Sequence, residues 1–396
     1  MIGFIFISLL SSCLPKPHME LKQLADSKSL PDFINSIEQK NTSSVVLGAT
    51  YYIREDGSAA NKAAATSCAA AATSMSVATH NAETFAVGDT IVLCESPAFT
   101  STINPPSSGS ASGYITYEGD HDGNGVRATV TNGIYRLLVR IDYLKIQNVH
   151  FTTSKKAVVF SSGGSNHWIR NCLFDSLSQQ GIFGNGPDAD NYSQDWLIEY
   201  NMFQNIGVST DSASADINLS GFARRWTMRH NTHAGDDSTH GVDGVTFSNN
   251  NVAGGDGAGH IIEYMNCSNY YENCVDFKGA KPSSGGEGGS IVRDSTFSGN
   301  SGTEGLAHIQ YNSRDVTFER VKFLNTTSNA IALVGKGAGN DTVGHVTVKG
   351  CALISVAIMT PPLWITILLV PMAAISARIR QARLASACWI FTNGKG

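Results

Sequence analysis

The chain has little proline, no closely spaced cysteine pair and no excess of positive charge. Only 11 of its 396 residues are proline, and its eight cysteines show neither a C-x-x-C pair nor the spacing of a zinc site. The net charge is −5, and no basic stripe with interleaved aromatic residues occurs. These absences argue against a zinc-binding protein and against nucleic acid as a partner.

What the sequence does contain is a repeated strand pattern. Each copy has an apolar residue, then a charged residue, then an aromatic or small residue four positions later, and the copies are spaced by 26 to 34 residues. A period in this range is typical of solenoids, propellers and repeat arrays. The charged positions alternate in sign: Arg170, Glu199, Arg229, Glu263, Arg293, Glu319 and Lys349. Alternation favours stacked coils, because like charges about 4.8 Å apart would repel each other.

Two apolar columns accompany the charges. The residues just before the charges are Ile169, Ile198, Met228, Ile262, Val292, Phe318 and Val348, and they should face the interior. Four positions after the charges runs an aromatic ladder: Phe151, Phe174, Phe203, Phe297 and Phe323, interrupted by His233 and Cys267. Asn148 and Asn171 suit sharp turns, because asparagine tolerates left-handed backbone. The pattern predicts an all-β, single-stranded, right-handed parallel β-helix, and the hairpin turns of a propeller are weakly represented.

The sequence divides into five segments: a signal peptide at 1–13, a linker at 14–45, an N-terminal β-helix cap at 46–140, the coils at 141–351 and a hydrophobic tail at 352–396. The apolar run "IGFIFISLL" leads into "LSSC", which resembles a bacterial lipobox ending at Cys13. No Lys or Arg precedes this run, so the amino terminus alone supplies the positive charge of a signal peptide. The apolar run and the lipobox nevertheless favour export. The expected location is therefore outside the cytoplasm, at the bacterial cell surface, in the periplasm or secreted.

The tail has two interpretations. No charged residue occurs between Gly350 and Ala377, and three arginines follow soon afterwards. A stretch of this length can span a bilayer with its basic end in the cytoplasm, although its three prolines disfavour a straight helix. The alternative is an aberrant end, because the repeat stops abruptly at Cys351. Membrane anchoring is thus expected through a lipid on Cys13 or through the tail, and the protein is expected to be a monomer.

The cysteines suggest one disulfide. Cys68 and Cys94 both lie in the cap, and an exported protein can keep such a pair oxidised. Cys172 and Cys267 fall at strand or turn positions and are interpreted as packing residues.

A second strand in each coil places chemistry-bearing residues in register. Its inward column is Leu219, Phe247, Phe277, Ile309 and Leu333, and its outward column is Asn218, Thr246, Asp276, His308 and Ala332. Ser248, Lys278 and Gln310 stand two positions beyond the outward column. Asp276, Lys278, His308 and Gln310 should therefore share one outer face, below loops rich in glycine and aspartate.

The cap resembles that of a known superfamily. "TYYI" around Tyr51 and Tyr52, "GDTI" at Gly88 to Ile91 and "ITY" at Ile115 to Tyr117 resemble exported β-helix proteins of the pectate-lyase-like superfamily. The resemblance covers about three hundred residues. It implies the β-helix fold and a carbohydrate setting.

One stretch narrows the resemblance. "VDFKGA" followed by "STFSGNSGTEGLAHIQYN" resembles polysaccharide lyase family 6, the alginate-lyase and chondroitinase-B group, and family 9 pectate lyases are a looser match. The resemblance implies that Lys278 is the catalytic base and that His308 assists it. Ala307 stands where the family has a catalytic arginine. Calcium ligands before the lysine are the family's rule, and here Glu272 and Asp276 are the near candidates.

The residues themselves support several roles. Elimination from a uronic-acid polymer needs a base and a positive charge that neutralises the sugar carboxylate, for which Ca²⁺ or a basic side chain serves. Asp237 and Asp243, in the glycine-rich loop, add oxygen ligands for Ca²⁺. Gln310, Arg293 and His260 are candidates for binding substrate. An outward lysine is also often just a solvated charge paired with a neighbour such as Asp276.

The predicted function is therefore a Ca²⁺-assisted lyase acting on an acidic polysaccharide. One alternative is a carbohydrate-binding or adhesin β-helix without activity, which Ala307 favours. Another is a glycoside hydrolase, for which Asp237 and Asp243 would be the carboxylate pair.

Overall fold

The fold was analysed in a computed structural model. It describes residues 48–161, 164–188, 190–207, 214–235, 242–248, 257–281, 288–300, 305–334 and 343–354. The predicted signal peptide and linker, Asp237, and the tail from residue 355 onwards lie outside these ranges. Within them, no helix is long and apolar enough to cross a membrane.

The described chain winds through parallel sheets. The first sheet forms one face of the solenoid, with 11 strands that follow each other along the chain. They are β1 (Thr50–Ile53), β2 (Thr90–Leu93), β3 (Ile115–Glu118), β5 (Leu144–Gln147), β8 (Trp168–Arg170), β12 (Leu197–Glu199), β16 (Thr227–Arg229), β19 (Ile261–Glu263), β22 (Ser290–Arg293), β25 (Val316–Glu319) and β28 (Val346–Lys349).

A 15-stranded sheet forms the second and third faces. The long strands β4 (Ala128–Val139) and β6 (Val149–Phe160) belong to both faces. The second face continues with β9 (Leu173–Asp175), β13 (Met202–Gln204), β17 (Thr232–Ala234), β20 (Asn266–Tyr270), β23 (Thr296–Asn300), β26 (Lys322–Leu324) and β29 (Ala352–Ile354). The third face continues with β10 (Gln180–Gly186), β14 (Ser214–Gly221), β18 (Val242–Ser248), β21 (Val275–Lys278), β24 (Ala307–Gln310) and β27 (Ile331–Val334).

Smaller elements complete the fold. A three-stranded sheet joins β7 (Gly164–Ser165), β11 (Ser193–Gln194) and β15 (Ala223–Arg224). The cap holds the only α-helix among the described residues, α1 (Val77–Ala82), whose first turn is capped by the Ser76 hydroxyl. Short 3₁₀ turns lie at Lys62–Ala64 and Ala71–Thr73. The predicted parallel β-helix is confirmed.

The charged residues of the first sheet stack as predicted. Strand pairing places Glu199 between Arg170 and Arg229, and the register continues through Glu263, Arg293, Glu319 and Lys349. Arg229 Nε lies 2.7 Å from Glu199 Oε2, and an Arg293 guanidinium nitrogen lies 2.6 Å from Glu263 Oε2. Glu199 is buried, and it also accepts a hydrogen bond from Trp168 Nε1 at 3.0 Å. Opposite charges on adjacent coils thus hold the register of this face.

Both apolar columns are buried. Ile169, Ile198 and Ile262 are 0–1% exposed, and the rings of Phe174 and Phe203 stack 4.6 Å apart. His233 continues the stack 4.6 Å from Phe203, and its Nδ1 lies 2.7 Å from the buried Asp216 carboxylate. Trp196 and Trp226 also stack in the core, with their ring centres 3.7 Å apart.

A sharp turn follows the charged position in every coil. Asn148 and Asn171 have φ of 59° and 49°, as the turn prediction requires. Tyr200, His230 and Tyr264 take the same left-handed conformation in later coils. Their rings stack at 4.7–4.8 Å, which offsets part of the strain of non-glycine residues there.

The disulfide between Cys68 and Cys94 is confirmed, and Cys172 is a buried free thiol. The interpretation of Cys267 as a packing residue is incomplete. It occupies the buried ladder position, but it also forms a disulfide with Cys274 on the adjoining face. Cys267 and Cys274 are seven residues apart, and this spacing alone does not predict a disulfide. The corner between the second and third faces brings their two sulfur atoms together.

The column of alternating charges predicts that Glu199 contributes more to the free energy of unfolding than Glu319, which occupies the equivalent position in a later coil. Glu199→Gln should lower the free energy of unfolding by about 1–2 kcal/mol, because it removes the charge from a buried acceptor of several hydrogen bonds. Glu319→Gln is the matched control, since its side chain is 26% exposed, and its loss should stay below about 0.5 kcal/mol. Urea unfolding measures both values, and equal losses would contradict a special role for the buried glutamate.

Three buried histidines predict destabilisation in acid. Burial lowers the pKa of His167 and of His260 to about 3 and that of His80 to about 4. Each stays neutral in the fold but takes up a proton when unfolded below its ordinary pKa of about 6.5, so stability falls as pH drops from that value towards the folded pKa. At pH 5 each should cost about 2 kcal/mol relative to pH 8.

Unfolding free energies measured between pH 8 and pH 4.5 test this prediction. In His260→Gln the amide oxygen can still accept the Trp226 N–H, and the pH slope should become shallower. His345→Gln replaces a histidine whose side chain is 93% exposed and should leave the slope unchanged. A slope that is the same in both variants and the parent would sink the assignment.

Candidate functional site

A polar cluster lies on the third face, where β18, β21 and β24 run side by side. The register pairs Thr246 with Asp276 and Asp276 with His308. Two positions later it pairs Ser248 with Lys278 and Lys278 with Gln310. Both columns point away from the interior, because the alternate residues Phe277 and Ile309 belong to the core. Asp276, Lys278, His308 and Gln310 therefore share a face.

This face is much less exposed than a solvated sheet surface. Asp276 is 0% exposed, and His308 and Gln310 are each 1% exposed, whereas the Lys278 side chain keeps 27% exposure. The sequence pattern predicts their direction but not their burial. Buried charges in such a cluster must be paired with each other or with a ligand.

The contacts centre on two carboxylates. Lys278 Nζ lies 2.8 Å from Asp276 Oδ2 and 3.5 Å from Asp243 Oδ2. Gln310 Nε2 donates to both oxygens of Asp276 at 3.1 and 3.0 Å, and His308 Nδ1 lies 3.8 Å from Asp276 Oδ2. The Thr246 hydroxyl donates to Asp243 Oδ2 at 2.7 Å. Asp243, Asp276, Lys278, His308 and Gln310 are called the Lys278 cluster below.

The carboxylates set the protonation of the cluster. Burial would lower the pKa of Lys278, but Asp243 and Asp276 together outweigh burial and raise it above its usual value. Burial raises the pKa of Asp243 to about 8, opposed by the Lys278 ammonium and reinforced by Asp276 and Glu272. In this arrangement Lys278 is a cation and Asp243 takes up a proton near neutral pH. A lysine must be neutral to act as a base, and its contacts with Asp276 and Asp243 oppose that state.

Two buried oxygens of the cluster point to a ligand. Asp243 Oδ1 and Gln310 Oε1 are shielded from solvent and have no hydrogen-bond partner among the described residues. Such atoms are rare in folded proteins unless water, an ion or a ligand reaches them. Carboxylate and amide oxygens are ligands that Ca²⁺ prefers. Among the described residues, however, Asp243, Asp276 and Glu272 do not form a group whose oxygens all lie within 4.8 Å of one another.

The remaining candidate substrate ligands lie elsewhere. His260 is 1% exposed, contacts the Phe247 ring and lies within hydrogen-bond distance of the Trp226 N–H through Nδ1. Arg293 is on the first face, paired with Glu263. Neither residue joins the Lys278 cluster, because each belongs to the segment that enters or forms the first sheet.

Ala307 lies in the core column of β24, paired with Val275 and Ile331, and is fully buried. The arginine that the family resemblance would place there is thus replaced by a core side chain. Within the described residues, Lys278 is the cation that contacts the cluster's carboxylates.

A second acidic group lies in the cap and was missed from the sequence. Oxygens of Glu95, Asp120 and Asp122 lie within 4.8 Å of one another. Asp120 to Gly125 reads D-x-D-x-N-G, the opening of a calcium-binding loop, and this spacing is the signal that could have revealed it. The group follows β2 and β3 of the first sheet, so it is separate from the Lys278 cluster.

Comparison with solved structures agrees with this architecture. An alginate lyase from Paenibacillus sp. str. FPU-7 is similar over 70% of this chain and 94% of its own, with 16% identity and a TM-score of 0.51. Pectate lyase Pel9A is 13% identical over 76% of this chain and 81% of its own, with a TM-score of 0.31. A family 136 lacto-N-biosidase from Eubacterium ramulus is 10% identical over 82% and 70%, with a TM-score of 0.38.

Sequence comparison adds no assignment. No family model matches the chain, and no curated protein matches it. At these identities the structural likeness establishes the fold alone, and of the three structures named the alginate lyase is the one whose alignment is close enough to support it. The chain has a parallel β-helix fold and is distantly similar in structure to this alginate lyase.

Proposed function

We propose that the protein is an exported polysaccharide lyase that cleaves a uronic-acid-containing polysaccharide of the alginate or pectate type by β-elimination. The observation that carries this proposal is the Lys278 cluster, which joins an amine, an imidazole and two carboxylates on one face. β-Elimination needs a base for the proton beside the sugar carboxylate and a positive charge that stabilises the enolate. The cluster contains groups suited to both tasks.

The roles follow from the contacts. Lys278 takes the proton as a neutral amine, after its 27% exposed side chain has given a proton to solvent and one of its two carboxylate partners has released it. His308 gives a proton to the leaving glycosidic oxygen, so that the C–O bond breaks as the new C=C bond forms. Gln310 fixes Asp276 through two hydrogen bonds and orients it towards Lys278.

Calcium assistance is part of the proposal. Asp243, Asp276 and Glu272 would hold the ion, and its charge would neutralise the substrate carboxylate. The unpartnered Asp243 Oδ1 supports a ligand at that atom. Because the same carboxylates contact Lys278, binding an ion there would also loosen the hold on the lysine ammonium.

Export is supported by chemistry that the described residues contain. Two disulfides join Cys68 to Cys94 and Cys267 to Cys274. Structural disulfides persist mainly outside the reducing cytoplasm. We therefore place the protein outside the cytoplasm, and attachment through Cys13 or the tail and a monomeric state remain predictions.

Incubation of the full chain with alginate, polygalacturonate and chondroitin sulfate tests the lyase proposal. Ultraviolet absorbance of the unsaturated product should rise with one polymer, and a calcium chelator should suppress the rise. Lys278→Ala should lower the rate by about 10²–10⁴-fold, the usual contribution of a general base. Lys322→Ala, which removes an exposed lysine from the second face, is the matched control and should retain full activity.

Two results would contradict the proposal. The first is binding of a polysaccharide without any cleavage, which would identify a carbohydrate-binding module, the function that the core alanine at position 307 favours. The second is release of reducing sugar without ultraviolet absorbance, which would identify a glycoside hydrolase.

The hydrolase alternative has a specific observation behind it. Hydrolysis needs one carboxyl group that is protonated and a second that is ionised. Asp243, with its raised pKa, and Asp276 both contact Lys278 Nζ and would form that pair. Asp237, the partner expected from the sequence, lies outside the described residues. If hydrolysis were seen, Asp243→Asn should abolish it.

A further inference from the structure

A second polar feature lies on the third face, three coils before the Lys278 cluster. Lys156 Nζ lies 4.0 Å from the centre of the Phe183 ring. Strand pairing runs from Lys156 through Gln180 and Ala215 to Asp243, and from Phe183 through Asn218 and Thr246 to Asp276. Lys156 and Phe183 therefore occupy the positions that Asp243 and Asp276 occupy in the cluster.

Lys156 brings a positive charge to this pair, whereas the equivalent positions in the Lys278 cluster are occupied by the acidic residues Asp243 and Asp276. Among the described residues, no carboxylate forms an ion pair with the half-buried Lys156. Burial and, to a smaller extent, the neighbouring Lys155 ammonium lower the pKa of Lys156. A desolvated cation without an anion is suited to receive one from a ligand.

Small polar side chains connect the two ends of this face. Asn185, Ser220 and Ser248 lead in register to Lys278. Asn218, in the Phe183 column, is 9% exposed, and its Oδ1 is buried without a hydrogen-bond partner among the described residues. Amide and hydroxyl groups in a row can bond the hydroxyls of a sugar chain lying along the solenoid axis.

We infer that Lys156 and Phe183 form a distal subsite that binds one uronate residue of a polysaccharide whose scissile bond lies at Lys278. Lys156 pairs with the uronate carboxylate, and the Phe183 ring packs against the apolar side of the sugar. Phe183 lies three coils before the strand of Lys278, and Lys156 lies four coils before it. At about 4.8 Å per coil the subsite is about 14–19 Å from Lys278, a distance of a few sugar residues. The inference rests on the proposed function for its scissile end.

Cleavage of oligouronates of defined length tests the subsite. Trimers and hexamers of the uronic acid that the enzyme cleaves would be compared for Phe183→Ala and Lys156→Gln. KM for the hexamer should rise at least fivefold with kcat unchanged, whereas the trimer, too short to reach the subsite, should show parent kinetics. Tyr200→Ala and Lys322→Gln remove an exposed aromatic ring and an exposed lysine away from the third face and should change neither value.

A binding measurement separates this inference from the lyase proposal. In gel electrophoresis through alginate or polygalacturonate, Lys278→Ala should be retarded, and adding Phe183→Ala should reduce the retardation. If Phe183→Ala reduces the retardation and the parent protein cleaves none of the polymers, the subsite is supported and the lyase proposal is contradicted. The subsite would be overturned if the variants affected trimer and hexamer equally. It would also be overturned if variants that melt like the parent showed unchanged hexamer kinetics and unchanged retardation.

Discussion

The structure depends on one constraint, which is that each strand residue lies beside its equivalent in the coils before and after it. Glu199 must satisfy Arg170 and Arg229 at once, and Phe203 must stack on Phe174 and His233. A slip of one residue in a coil would reverse inside and outside for that strand and bring like charges together. The alternating charges and the stacked rings therefore define the register along much of the solenoid.

The same constraint concentrates chemistry on the third face. Because equivalent positions stack, Lys278 stands between Ser248 and Gln310, and Asp276 between Thr246 and His308. The resulting cluster is buried, which makes its ion pairs strong and its unpartnered oxygens costly. A regular scaffold can maintain such a group because coils on either side fix the backbone of each strand.

Because these charges are buried, the protonation state of Lys278 depends on its carboxylate partners. Asp243 and Asp276 hold the Lys278 ammonium and stabilise its charge, so they oppose its use as a base. In the proposed function, the same carboxylates would also bind a calcium ion. In the proposed function, metal binding and lysine activation would thus be linked through shared carboxylates, and at the proposed distal subsite Lys156 would pair with a carboxylate of the substrate.

The sequence alone determined the solenoid, its charged column, its aromatic ladder and the shared face of Asp276, Lys278, His308 and Gln310. These features follow from the repeat, since residues in equivalent positions must stack. Only the tertiary structure decided which outward residues are buried, that His260 packs against Phe247, that Cys267 bonds Cys274 and that Asp243 reaches Lys278. Those outcomes depend on corners and loops, where neighbours in space are not set by the period of the chain.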